Sequence, residues 1–162
     1  MFQTATRKLA VAAAAIVAAL ATTIGIAAAQ DADRNVSGSF VSTNFSGAGC
    51  ASPIDACARG TFRGAIHGRF EAVAFTIAPT AQPGVVVGTA EIVIHDPRGD
   101  LRCTETFVVN ITPGGDGEES FICQFTGGSG RWAGVTGHIE AFGSGGQDSS
   151  GRYQGALTLP KP

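Results

Sequence analysis

From Gln30 onward, apolar and polar residues alternate in short runs, and each run is bounded by Gly, Pro, Asn or Asp. Alternation of this kind puts successive side chains on opposite faces of an extended chain, which marks strands with one buried face. No stretch of useful length repeats apolar residues at the spacing of an amphipathic helix. The pattern predicts eight strands: Val36–Phe45, Gly60–His67, Arg69–Ile77, Gly84–His95, Leu101–Ile111, Ser120–Thr126, Gly134–Phe142 and Gly151–Leu159. Eight consecutive strands with short links suit an all-β fold, an eight-stranded antiparallel up-and-down β-barrel, because closure removes the unpaired edges that an open sheet would present. Glycine within the strands points the same way: Gly60, Gly64 and Gly68 alternate with Phe62, Ile66 and Phe70. A strand glycine packs nothing, but it allows the sharp bends and close backbone approach of a tightly curved sheet. Asp96-Pro97-Arg98-Gly99 and Pro113-Gly114-Gly115-Asp116 read as turns.

The chain before Gln30 has a different character. Arg7 and Lys8 precede an uncharged run from Leu9 to Ala29, rich in Ala, Val, Ile and Leu and ending in Ala27-Ala28-Ala29. A positive start, an apolar middle and a small-residue end are the layout of a signal peptide cleaved before Gln30. The competing reading is an uncleaved anchor, since the run is about long enough to span a bilayer at roughly 20 residues. Its Ala-rich composition is only weakly apolar, and no second span follows, which favours cleavage and leaves no stable membrane span. Residues 30–162 then form a single domain of a usual size. That portion carries nine basic against thirteen acidic residues, which argues against nucleic acid or an anionic membrane surface as partner.

All four cysteines, Cys50, Cys57, Cys103 and Cys123, lie in this portion. An even count in an exported chain reads as two disulfides formed in an oxidising, extracellular setting. Three pairings are open, and local order favours Cys50–Cys57 with Cys103–Cys123. No metal is expected, because no C-x2-C or H-x3-5-H spacing exists among these cysteines and His67, His95 and His138. A Cys103–Cys123 bridge also suggests a register. Residues facing each other across an antiparallel pair have numbers with a constant sum, here 226, which pairs Glu105 with Phe121 and Phe107 with Glu119. The same parity sets Cys103, Phe107, Val109, Phe121, Cys123 and Phe125 on one face, apolar apart from its carboxylates.

The stretch Thr126-Gly127-Gly128-Ser129-Gly130-Arg131-Trp132-Ala133-Gly134-Val135-Thr136-Gly137 resembles the GGxG(x)(F/W)xGxxG motif of the allene oxide cyclase and dirigent barrels. Gly151-Arg152-Tyr153-Gln154-Gly155-Ala156-Leu157 is similar to the closing G-x-Y-x-G-x-L strand of bacterial members. The likeness covers about residues 120–160, and Gly60-Thr61-Phe62-Arg63-Gly64 is compatible with it. It implies a calycin-like barrel whose lumen holds a small hydrophobic molecule and, in the enzymes, guides its cyclisation or coupling. Plant relatives are commonly trimers or dimers, so a homo-oligomer is an expectation. Physically, consecutive glycines permit positive φ in the turn, and Trp132 would cap a barrel end with its ring. A phosphate cradle at Gly127–Gly130 is not expected: no Lys-Ser/Thr follows, and no helix begins there.

Chemistry in such a barrel needs an ionisable group on the apolar lumen face. Glu105 is the candidate catalytic residue, because burial there would raise its pKa toward that of a general acid or base. The competing expectation puts it outside or at the rim, paired with Arg102 or Arg131. Phe107, Val109, Phe121, Phe125 and Trp132 are the candidate ligand-binding residues. Glu91 and His95 share a face but stand two pleats, roughly 13 Å, apart, which suits separate surface positions. His67 and His138 belong to no recognisable triad. Asn35-Val36-Ser37, Asn44-Phe45-Ser46 and Asn110-Ile111-Thr112 satisfy the glycosylation pattern without deciding anything. No cofactor is expected. The sequence therefore points to a secreted barrel holding a small hydrophobic ligand, with cyclase- or isomerase-like activity left open. The alternative is a structural or cell-surface interaction protein with a packed lumen.

Overall fold

The computed structural model describes residues 32–111 and 117–160. The N-terminal run and the turn at residues 113–116 lie outside them. Eight strands follow in order: β1 (Ala32–Phe45), β2 (Cys57–Gly64), β3 (Gly68–Pro79), β4 (Val85–Asp96), β5 (Gly99–Ile111), β6 (Gly117–Gly128), β7 (Thr136–Gly145) and β8 (Asp148–Leu159). A short 3-10 turn, Gly130–Trp132, separates β6 from β7. Each strand pairs antiparallel with its neighbours in the chain, and β1 pairs with β8 to close the barrel. Alternation produces this directly, since the inward residues of each strand meet those of every other strand in one core.

All eight expected strands form, with shifted ends. β1 starts four residues early, at Ala32, and β2 is displaced by three residues at both ends, stopping at Gly64 and not at His67. Gly64 turns the chain at φ 115, Ala65 N–H donates to the Ser37 carbonyl at 3.1 Å, and Ile66 folds into the core. Both disulfides, Cys50–Cys57 and Cys103–Cys123, are the locally ordered pair.

The β5–β6 register differs from the expectation. Cys103 faces Phe125, Glu105 faces Cys123, and Phe107 faces Phe121, a slide of two residues from a disulfide joining directly opposed cysteines. The bridge instead joins diagonal neighbours. Sheet twist brings their Cα atoms to 5.6 Å, which is within disulfide reach. Because the slide is even, every side chain keeps its face. A bulge between Arg102 and Cys103 then adjusts the pairing toward Leu101.

The interior has two halves. In the half beneath the β2–β3, β4–β5 and β6–β7 connections, Ile66, Ile94, Leu101, Val135, Ile139 and Leu157 are fully buried. Tyr153 reaches into this half: its hydroxyl accepts from Ile66 N–H at 2.9 Å and donates to the Ile66 carbonyl at 3.1 Å. Gly38 makes room for that ring, since a Cβ there would collide with the Arg63 carbonyl and with Tyr153 itself. Trp132 covers the end at 3 % exposure, with Arg98 stacked over its ring at 4.8 Å and Arg131 at 5.7 Å. Gly130 makes this cover possible: at φ 55, it lets Arg131 N–H reach the Arg98 carbonyl at 2.8 Å.

Asp96 locks the same end. Its buried carboxylate accepts from Arg98 N–H at 2.9 Å, Arg98 Nε at 2.8 Å, Arg98 Nη2 at 2.6 Å and His67 N–H at 3.2 Å. Burial alone would raise its pKa, but these donors and the guanidinium charge outweigh burial and bring it down to about 2. A depressed carboxylate stabilises the fold above its unfolded pKa, near 3.8, and loses that contribution as pH falls toward 2. Asp96→Asn is therefore expected to cost about 2 kcal/mol at pH 7. Urea unfolding at pH 7 and at pH 2.5 checks this, since the cost should largely vanish at the acid end; an equal loss at both would refute the charge account.

Candidate functional site

The other half of the barrel is hollow. A cavity of about 680 Å³ runs inward from the mouth, within the range of small-molecule sites. The aromatic rings of Phe40, Phe62, Phe70 and Phe121 pack in a connected series at its inner end, with centroids 5.0 to 6.3 Å apart. Phe62 also contacts Tyr153 edge-on at 5.4 Å, so the floor of the cavity is the roof of the sealed half. Alanines at 58, 72, 74 and 90 line the walls and leave the space that larger side chains would fill. Small residues opposite bulky aromatics set where a small barrel is packed and where it is hollow.

The β1–β2 connection forms one side of the mouth. The Cys50–Cys57 bridge shortens it, Ser52 Oγ donates to the Ala74 carbonyl at 2.5 Å, and Ala74 N–H donates to the Ala56 carbonyl at 3.0 Å. Asp55 Oδ1 accepts from Gly47 N–H at 2.6 Å. Across the mouth, Asn44 N–H and Nδ2 donate to the carbonyls of Gln147 at 2.8 Å and Gly146 at 2.6 Å. Both sides of the opening are thus pinned by backbone hydrogen bonds or a covalent bridge.

Glu105 stands on the cavity wall at the level of the Cys103–Cys123 bridge, at 6 % exposure. It forms no hydrogen bond with a described residue. Neither expected arginine is near it: Arg102 points outward on β5, and Arg131 stacks on Trp132. Desolvation by burial, with a smaller repulsion from Glu119, pushes its pKa up to about 8. The carboxyl therefore carries its proton at neutral pH. Glu119 lies two pleats nearer the mouth on β6, opposite Val109, and burial raises its pKa as well. The Ser149 hydroxyl, itself buried, partly offsets that shift without closing a hydrogen bond of full geometry.

Glu105, Phe107, Val109 and Phe121 come together on the cavity lining. Phe125 and Trp132 do not: both are buried in the sealed half. Glu91 and His95 lie on the outer face, as the pleat spacing suggests, and His95 Nδ1 sits 3.0 Å from Asp100. His67 and His138 are exposed. Sequence reasoning put Glu119 on the right face but did not single it out, and it missed Asp55 altogether. The parity of Glu119 with Phe121 and Cys123 was the available signal, whereas nothing local to Asp55 shows that its loop folds back over the mouth.

Among the described residues, no group of three or more His, Cys, Asp or Glu could hold a metal ion, and no helix is long and apolar enough to cross a membrane. Comparison with known protein families and with curated proteins finds no match to this chain. Fold and site define its class by their own geometry: a closed eight-stranded antiparallel barrel, sealed at one end and hollow at the other, with a buried acid at the bottom of the hollow.

Proposed function

We propose that the protein is a secreted barrel that takes up a small hydrophobic molecule in its open half. The observation that carries this reading is the apolar cavity of about 680 Å³, since a barrel with a packed lumen would leave room for little more than a water. The two disulfides are compatible with an exported protein. Kinship to the allene oxide cyclase and dirigent barrels remains part of the proposal, resting on the glycine-rich turn before β7. A homo-oligomer belongs to it too, supported by exposed Val108, Ile122 and Phe142 on the outer faces of β5, β6 and β7.

A second reading, cyclase- or isomerase-like turnover, is favoured by Glu105. A carboxyl that holds its proton at neutral pH in an apolar site is equipped to donate it to a developing oxyanion or leaving oxygen. The test of the binding reading is titration with the neutral fluorophore N-phenyl-1-naphthylamine. Saturable, blue-shifted fluorescence is expected, weakened about tenfold or more in Ala90→Trp, which fills the cavity. Far-UV circular dichroism verifies that this variant is folded. Non-saturable fluorescence, or equal binding by a folded Ala90→Trp protein, refutes the reading.

A further inference from the structure

The lining of the cavity has a one-sided charge inventory. Asp55 lies at the mouth, Glu119 on the wall and Glu105 deep inside, and no Lys, Arg or His lines the space among the described residues. Arg59 lies outside the lining, its guanidinium 5.2 Å from the centroid of the Phe45 ring. The residues beside Glu105 across its two strand pairings are Ala90 on β4 and Cys123 on β6, and Phe40 from β1, Ala72 from β3 and Ile92 from β4 line the same cavity. Glu119 on β6 and Asp55 in the β1–β2 connection are the other titratable groups of the lining, and both are acids.

We infer that the cavity selects an apolar amine, a molecule with a hydrocarbon body and a protonated nitrogen, and rejects fatty carboxylates of the same length. The inference rests on the binding reading above and narrows its ligand class. Glu105 is more than nine-tenths buried, has no hydrogen-bond partner among the described residues and lines the cavity, so its carboxyl lacks the partner that buried polar groups ordinarily have. An ammonium head placed beside it would supply both a donor and a countercharge, while the tail lies along Phe107, Val109 and Phe121. A carboxylate head meets three acids and no base, and would have to be desolvated against them.

The chemistry of the step is a proton balance. At pH 7 the free protein holds Glu105 protonated, since burial and Glu119 push its pKa up to about 8. An alkylammonium ion that pairs with the carboxylate must displace this proton, so one proton leaves to buffer for each amine bound. Amine affinity then rises with pH, by up to about tenfold per unit below the Glu105 pKa, until the amine itself deprotonates.

Isothermal titration of the wild-type protein with octylamine, 1-octanol and octanoate at pH 8 tests the inference. The expected order is amine, alcohol, acid, with at least about a tenfold gap between the ends. At pH 7, titrations in two buffers of different ionisation enthalpy should report proton release with the amine. In Glu105→Gln the amine-to-acid ratio should collapse by about tenfold or more. Octanoate binding as tightly as octylamine, or an amine preference that survives in Glu105→Gln, overturns the inference and leaves the binding reading intact. Failure of all three to bind overturns the binding reading itself.

Discussion

Glu105→Gln is expected to raise the stability of the barrel by about 3 kcal/mol at pH 7 and to change it little at pH 4.5. Burial pushes the Glu105 pKa from an ordinary carboxylate value near 4.5 up to about 8. Below pH 4.5 the group is protonated in both folded and unfolded chains, so it takes nothing from stability. Between pH 4.5 and 8 the unfolded chain ionises while the folded barrel does not, and stability falls by up to about 1.4 kcal/mol per unit. Above pH 8 the loss levels off. Glutamine has the shape of the protonated acid and no proton to lose, so the substitution removes the pH-dependent loss and little else. Urea unfolding of both proteins across pH 4.5 to 8 measures the difference; a constant gap over that range would mean that Glu105 is not desolvated. A group that holds stability down this way, in a cavity, supports the proposed binding or proton-donating role.

Trp132→Ala is expected to cost about 3 to 5 kcal/mol, the range for deleting a buried indole. The ring covers the sealed end, and both Arg98 and Arg131 lie over it, so its loss opens a void and strips two cations of their stacking surface. Trp132→Phe should cost far less, because the indole Nε1 has no hydrogen-bond partner to lose. Denaturant unfolding followed by far-UV circular dichroism separates the two variants. A loss below about 1 kcal/mol for Trp132→Ala would show that the sealed end packs without it. Since Trp132 does not line the cavity, a folded Trp132→Ala protein should bind the naphthylamine probe as the wild type does.

The strands were legible because inward and outward residues alternate without interruption through β4, β5 and β6, and because Asp96-Pro97-Arg98-Gly99 can scarcely be anything but a turn. Parity alone placed Glu105, Phe107, Val109 and Phe121 on the inner face. Parity has no depth, however. Phe121 and Phe125 look alike in the sequence, yet one lines the cavity and the other is buried in the sealed half, because the boundary depends on how far β1, β2, β3 and β8 bring Phe40, Phe62, Phe70 and Tyr153 across the lumen. The β5–β6 register was misplaced by two residues for a related reason: a disulfide reports proximity, and in a twisted sheet the diagonal neighbour is also near. The Asp96–Arg98 lock was hidden inside its own turn, since the sequence shows a bend there but not the His67 N–H that arrives from the β2–β3 connection.

The closed end would also govern the traffic of the proposed ligand. Among the described residues, Trp132, Tyr153 and the Asp96–Arg98 pair block one side, so a ligand held as proposed would leave by the mouth through which its successor enters. Exchange of such a ligand would then be sequential, with added competitor hastening recapture of an empty barrel but not departure from a full one. The rim that the Cys50–Cys57 bridge and the Asn44 hydrogen bonds hold in place would then be the element that sets the residence time of the proposed ligand.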